Sequence, residues 1–125
     1  MTYDEFNEFC QSLPATTYVM QWHHSHVWKV GGKVFAIGGL GPDDQPAFIF
    51  KTSDNNYVFL SEQPGYKPAP YFASRGMKWI QYYDHSEQID EELRYYLQES
   101  YRVVSLGLSK RKQRELGLNQ DDDFD

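Results

Sequence analysis

Residues 27–37, VWKVGGKVFAI, carry the clearest fold signal in the chain. Two runs rich in β-branched and aromatic residues flank Gly31 and Gly32, and a glycine pair tolerates the positive φ angles of a tight hairpin turn. Upstream, residues 16–22 (TTYVMQW) alternate in the manner of a strand, and a further apolar run, AFIFK, follows the hairpin. The sequence therefore predicts a four-stranded antiparallel meander over residues 16–51.

A helix is predicted before the meander. Thr2 and Glu5 form a capping box, in which each side chain accepts a hydrogen bond from the backbone N–H of the other residue. Apolar residues then recur at helical spacing until Pro14 ends the pattern. These signals place a helix over residues 3–12.

After the meander, the pattern indicates a helix, an irregular stretch and one more strand. Ser53 or Asp54 can cap a short helix that ends at Pro64. Residues 64–76 hold three prolines and two glycines, which predicts an irregular segment. Residues 77–83, MKWIQYY, are expected to form the final strand.

The C-terminal third is predicted to contain two helices and a tail. The longest helix begins at Asp90, with acidic residues in its first turn, and ends near Gly107. Ser109 can cap a last short helix that Gly117 stops. We expect residues 119–125, which hold four aspartates, to form a disordered acidic tail.

These elements predict a single two-layer α+β domain over residues 1–118. An antiparallel sheet of about five strands would pack one face against helices, because the apolar face of such a sheet must be covered. The first helix and the helix that begins at Asp90 are expected to provide that cover. The residues predicted to be buried there are Phe6, Phe9, Leu13, Leu93, Leu97 and Val104.

The charge, the cysteine count and the apolar runs of the chain exclude some classes of protein. The chain has 125 residues, a net charge of −6 and a single cysteine, Cys10, which excludes a disulfide framework within the chain. No apolar run approaches the roughly 20 residues of a membrane span, and the acidic start MTYDEF lacks the basic flank of a signal peptide. We therefore expect a cytoplasmic, monomeric protein that does not bind membranes.

Three segments, in order along the chain, carry a family resemblance. They contain KVGGKVFA at residues 29–36, the stretch from the Pro-Gly pair to Lys-Trp at residues 64–79, and ESYRVV at residues 99–104. Together they resemble the MmcQ/YjbR family over roughly residues 1–108. The resemblance implies a compact fold like that of type III secretion chaperones and frataxin-like proteins. It also implies DNA binding through a "double wing" architecture, without a shared catalytic motif.

The resemblance directs attention to basic residues near aromatic rings. Lys29 and Lys33 flank the hairpin turn, and residues 66–79 interleave basic residues with rings. Basic groups beside exposed rings can hold phosphates while bases stack on the rings. The alternative is that the rings fill the core and the charges only solvate the loop. The candidate nucleic-acid-binding residues are Lys29, Lys33, Lys67, Arg75, Lys78, Tyr71 and Trp79.

Other reactive residue types do not form a site by this reasoning. His23, His24 and His26 invite a metal interpretation, but His85 is the only other histidine, and a solvated turn explains them better. Cys10 lies on the apolar face of the first helix, without a His or Lys beside it in sequence. We therefore predict no enzyme activity, no metal and no cofactor.

Two functions remain open. The first is a small DNA-binding module, indicated by the resemblance and by the basic, aromatic segment. The second is a protein-interaction or chaperone-like adaptor, indicated by the implied fold, the acidic balance and the many aromatic residues. An acidic protein needs a local basic patch to bind nucleic acid. Convergence of the candidate cations favours the first function, and a wide uncharged aromatic patch favours the second.

Overall fold

A computed structural model describes residues 1–84 and 89–120 of the chain. These residues form five α-helices, six strands and a 3-10 turn at Pro42–Asp44. The helices are α1 (Tyr3–Ser12), α2 (Asp54–Ser61), α3 (Pro70–Ala73), α4 (Asp90–Leu106) and α5 (Lys110–Leu116). The strands are β1 (Thr16–Gln21), β2 (Ser25–Val30), β3 (Lys33–Leu40), β4 (Pro46–Lys51), β5 (Tyr66–Pro68) and β6 (Trp79–Tyr82). No described helix is long and apolar enough to cross a membrane.

The six strands form one antiparallel sheet in the order β1-β2-β3-β4-β6-β5. The first four strands are the predicted meander, and Gly31 and Gly32 join β2 to β3, both at positive φ. The predicted α+β class is confirmed. The sheet has six strands where about five were expected, because β5 pairs with β6 and extends the sheet at that edge.

The segment 64–76, expected to be irregular, contains both β5 and α3. Pro68 lies on an edge strand, where a residue can lack a backbone N–H without breaking a ladder. Pro70 is the first residue of α3, and the first N–H of a helix has no intrahelical partner in any case. The prolines therefore mark where these elements begin and end, and they do not exclude regular structure.

Helices α1 and α4 cover one face of the sheet, as predicted. Phe6 of α1 packs against Phe48 of β4 with ring centroids 5.0 Å apart, and Tyr96 of α4 stacks on Phe50. The residues predicted to be buried are buried, with one correction. Phe9 is only half-buried, because it lies on the flank of α1 and packs against the border of the core.

The helix ends follow local signals in the sequence. The capping box is formed: the Glu5 N–H donates to Thr2 Oγ1 at 3.1 Å, and the Thr2 N–H donates to Glu5 Oε1 at 2.8 Å. Ser53 and Ser109 cap α2 and α5 by accepting from backbone N–H groups. Gly117 ends α5 with a φ of 72°. Contacts within three or four residues therefore fix these boundaries.

The tail expected at residues 119–125 begins within the described part of the chain. Asn119 donates to Ser105 Oγ at 3.2 Å and to Gln113 Oε1 at 2.9 Å. These bonds hold the start of the tail against α4 and α5. Residues 121–125 and His85 lie outside the described residues.

Candidate nucleic-acid interface

The sheet has an outer face, turned away from α1 and α4, that carries Lys29, Ile49, Lys51, Lys67 and Gln81. Cross-strand partners share a face of a sheet, and so do residues two apart along a strand. Lys67 pairs with Gln81, and Gln81 pairs with Ile49, which alternates with the core phenylalanines of β4. Lys51 lies two residues beyond Ile49, and Lys29 reaches the same face through the β2–β3 and β3–β4 pairs. Three lysines from three strands therefore share this face.

The charge of the sheet is opposite in sign to the charge of the chain. The described strands contain four lysines and no Asp or Glu, although the net charge of the chain is −6. The lysines are Lys29, Lys33, Lys51 and Lys67. Acidic residues occupy helices and connections, including Asp43 and Asp44 between β3 and β4. The sheet is therefore a local basic surface on an acidic protein.

An apolar groove of about 480 Å³ crosses the outer face between the β1–β2 turn and α3. Ile37 and Ile49 form its floor. Trp22 borders it from the β1–β2 turn and is 54% exposed, and Tyr71 borders it from α3 and is 61% exposed. The lining residues are Trp22, Ser25, Ile37, Ile49, Tyr71 and Phe72.

A second cleft, of about 400 Å³, brings the β2–β3 hairpin and the 66–79 segment together. Lys33 and Lys51 line it beside Phe72 and Trp79, and its other wall is the C-terminal end of α4. Lys33 pairs with a core residue of β2, so it extends from the inner side of the sheet. Phe72 also lines the groove, so the cleft and the groove adjoin. Lys51 is a cation that sequence analysis missed, because its approach to the 66–79 segment depends on the pairing of Lys51 with Trp79 between β4 and β6.

Three of the predicted cations lie over aromatic rings. The pairs are Arg75 with Tyr71 at 5.0 Å, Lys67 with Tyr83 at 5.9 Å and Lys78 with Tyr57 at 5.2 Å, measured from the cation to the ring centroid. Arg75 thereby brings positive charge to the rim of the groove. Lys78 is held against α2, and Lys67 lies on the edge strand. The predicted cations therefore converge only in part.

Trp79 does not have the exposed ring that its predicted role requires. The residue is 5% exposed, and its ring stacks on Phe72 with centroids 4.6 Å apart and planes at 16°. This stacking packs α3 onto the sheet. Trp79 is therefore a packing residue in place of the predicted base-stacking one, and the exposed tryptophan on this face is Trp22, which sequence analysis did not select.

Comparison with known proteins places the chain in a family. The sequence model of the YjbR family matches residues 11–103, which is more than half of the chain. This chain belongs to the YjbR family. The resemblance that the hairpin and the other two segments indicated is thereby confirmed.

Among solved structures, this YjbR-family chain resembles a crystal structure of Deinococcus radiodurans protein DR2400, described as containing a DUF419 domain. The TM-score is 0.79 at 22% identity, and the match covers 94% of this chain and 88% of that chain. At this level of identity the likeness shows a shared fold. No curated protein matches the sequence.

None of the three described histidines lines the groove, and His26 makes structural contacts. His26 Nδ1 lies 2.8 Å from the Tyr18 hydroxyl and 3.3 Å from Asn7 Nδ2, which ties β1 and β2 to α1. His23 and His24 form part of the β1–β2 turn, at φ angles of 61° and 71°. Among residues 1–84 and 89–120, no group of three or more His, Cys, Asp or Glu is placed to hold a metal ion.

Cys10 lies on the core-facing side of α1 and is fully buried. Burial raises the pKa of its thiol, because the thiolate would lose its hydration in an apolar environment. A nucleophilic cysteine requires the opposite, a thiol that ionises readily and can be reached by substrate. This location and pKa are those of a packing residue.

Proposed function

We propose that this YjbR-family protein is a non-enzymatic DNA-binding module whose sheet lysines hold the phosphate backbone. The acid-free sheet is the observation that carries the proposal. Phosphate binding depends on clustered Lys and Arg side chains, and nearby carboxylates oppose it. Lys33 and Lys51 line one cleft, and none of the described strands contains an acidic residue.

The proposed binding is weak. A net charge of −6 repels the DNA backbone at long range, and only a few cations occupy the outer face. We expect a dissociation constant for duplex DNA in the non-specific range, about 10⁻⁴ to 10⁻⁶ M at physiological salt. We propose further that the protein is a cytoplasmic monomer.

The proposed role involves no covalent chemistry. The single thiol is buried with a raised pKa, and the outer face offers lysines and aromatic rings. Such groups recognise charge and flat apolar surfaces. A binding role uses the lysines and the rings, and the Ser25 hydroxyl in the groove lining donates to the Trp22 carbonyl oxygen at 3.1 Å.

Fluorescence anisotropy with a short labelled duplex, measured at several salt concentrations, tests the proposal. Lys33→Ala/Lys51→Ala removes two charges from the cleft, and Lys110→Ala/Lys112→Ala removes two from exposed positions on α5 as the matched control. We expect the cleft variant to weaken binding and to lower the log–log salt slope by roughly 0.9 for each phosphate that the protein no longer neutralises. The α5 variant should keep the wild-type slope.

Two results would contradict this assignment. Equal weakening by both variants would move the binding surface away from the cleft. Absence of binding by the wild type at low salt would reject the DNA proposal and favour the second candidate, a protein-interaction adaptor. The apolar groove supports that candidate, because an exposed apolar surface between aromatic walls also suits a protein side chain.

A further inference from the structure

The three tryptophans of the chain are placed in two different ways. Trp28 and Trp79 are buried, whereas Trp22 is 54% exposed at the border of the groove. Tyr71, at the other border, is exposed as well. Burial of large aromatic rings lowers the free energy of the folded state, and rings that stay exposed to water do not contribute in this way. The groove therefore presents an aromatic surface that gains free energy when it is covered.

The β1–β2 turn holds Trp22 in an unusual backbone conformation. Trp22, His23 and His24 have φ angles of 50°, 61° and 71°, in the left-handed region that residues with a side chain seldom adopt. Ser25 Oγ donates to the Trp22 carbonyl oxygen at 3.1 Å and closes the turn. Such strain is common where a structure fixes a side chain for binding. Here the turn fixes an indole ring beside the groove.

The groove and Lys51 lie at a spacing that suits a nucleotide. Ile49 lies on the floor, and Lys51 is two residues further along β4, about 7 Å away at the usual rise of a strand. Arg75 adds a positive charge at the rim, over the Tyr71 ring. A flat apolar group in the groove thus has cations within reach for an anionic group attached to it.

We infer that the groove receives unpaired bases of single-stranded nucleic acid, with Trp22 and Tyr71 as stacking rings and Lys51 and Arg75 beside the phosphates. The inference rests on the proposed nucleic-acid binding and adds the form of the ligand. A base in a duplex is covered on both faces by its neighbours, so only its phosphates would meet the protein and the groove would stay empty. An unpaired base can leave its stack and enter, and stacking on aromatic side chains tolerates every base.

Three labelled probes of equal length separate the contributions of bases and phosphates. They are an oligothymidylate, an abasic strand with the same phosphates, and a duplex. Stacking is worth about 1–3 kcal/mol per base, so the oligothymidylate should bind at least about fivefold more tightly than the abasic strand. It should also quench tryptophan fluorescence, since Trp22 is the exposed tryptophan of the three.

Variants of the two rings complete the test. Trp22→Ala and Tyr71→Ala should each reduce oligothymidylate binding towards the abasic level and leave duplex binding unchanged. Tyr95→Ala, which removes a ring 57% exposed on α4, is the matched control and should change neither. Urea unfolding of each variant verifies that it folds.

The outcomes distinguish this inference from the proposal on which it rests. Equal binding of all three probes, with dependence on Lys33 and Lys51, would overturn the base-binding inference and leave phosphate binding in place. Unchanged oligothymidylate binding in both ring variants would also overturn it. Absence of binding by every probe at low salt would reject the proposed function together with the inference.

Discussion

Ser100 connects α4 to the two strands that border the cleft. Its hydroxyl donates to the Phe35 carbonyl oxygen at 2.6 Å and accepts from the Lys51 N–H at 2.9 Å, and its side chain is fully buried. Both backbone groups lie just beyond the last β3–β4 pair, Ala36 with Phe50. One hydroxyl therefore satisfies a buried donor and a buried acceptor where the sheet ladder stops, and it fixes the backbone that carries Lys51.

Ser100→Ala is expected to destabilise the protein by about 1–3 kcal/mol, because the Lys51 N–H would be left without a partner in a buried site. The substitution removes one oxygen atom and leaves little cavity, so the effect reports the hydrogen bonds. Urea denaturation followed by circular dichroism measures it. Ser74→Ala is the matched control, since Ser74 donates to the Tyr71 carbonyl at an exposed helix end, and we expect a change within about 0.5 kcal/mol. Similar losses of stability in both variants would contradict the role assigned to Ser100.

The two adjacent glycines of the β2–β3 hairpin turn are not equivalent. Both have positive φ, 60° for Gly31 and 84° for Gly32. A Cβ on Gly31 would lie 2.6 Å from Leu108 Cδ1, in the segment that leads into α5, whereas a Cβ on Gly32 would meet nothing within 4 Å. Both positions of the turn therefore favour glycine because of their positive φ. Gly31 has a second constraint, because a side chain there would collide with Leu108.

Gly31→Ala should destabilise the protein more than Gly32→Ala. Both changes place an alanine in the left-handed region, at a cost of roughly 1–2 kcal/mol. Gly31→Ala also forces Leu108 to move, and overpacking adds about 1–3 kcal/mol. Thermal unfolding of the two variants measures the difference. Equal destabilisation would mean that Leu108 adjusts its rotamer freely and that α5 does not constrain the turn.

Helices α1, α2, α4 and α5 were predictable because their boundaries depend on neighbours in sequence, whereas α3 was not. Ser109 and Gly117 bound α5 where the sequence placed them, and Thr2 with Glu5 begins α1. The strand β5 was not predictable in the same way, because its identity depends on pairing with β6, and Pro68 is compatible with a strand only at an edge.

The candidate site was predictable only in part, for the same reason. Lys33 and the 66–79 segment were selected from the sequence, and they do border one cleft. Trp79 was misassigned because α3 covers the outer face there and both faces of β6 are buried, which an alternating pattern does not reveal. Trp22 and Lys51 were missed because the sheet order, which brings them to the groove and the cleft, is a long-range property of the fold.

Across the molecule, the sheet and the two helices on its inner face differ in charge. The helices that cover the inner face are acidic, with Asp4 and Glu5 in the first turn of α1 and a three-residue acidic run in that of α4. The charged residues of the described strands are all lysines. The Debye length is about 8 Å at physiological ionic strength, so a phosphate on the outer face interacts chiefly with the nearby lysines. Lower salt extends the reach of the acidic groups, which makes them competitors for the same surface.

The last five residues supply four of the acidic groups, and their removal should tighten DNA binding. A chain that ends at Gln120 keeps the Asn119 hydrogen bonds and has a net charge of −2 where the full chain has −6. At low salt, where the Debye length reaches about 30 Å, we expect affinity for a labelled duplex to rise at least about threefold, and the gain to vanish as salt is raised. Fluorescence anisotropy measures the affinity at each salt concentration.

A full-length variant with all four tail aspartates replaced by asparagine keeps the length of the tail and removes its charge, so it should match the truncated chain. If it binds as weakly as the wild type, the tail acts through its bulk, and charge competition is not the reason for the weak binding.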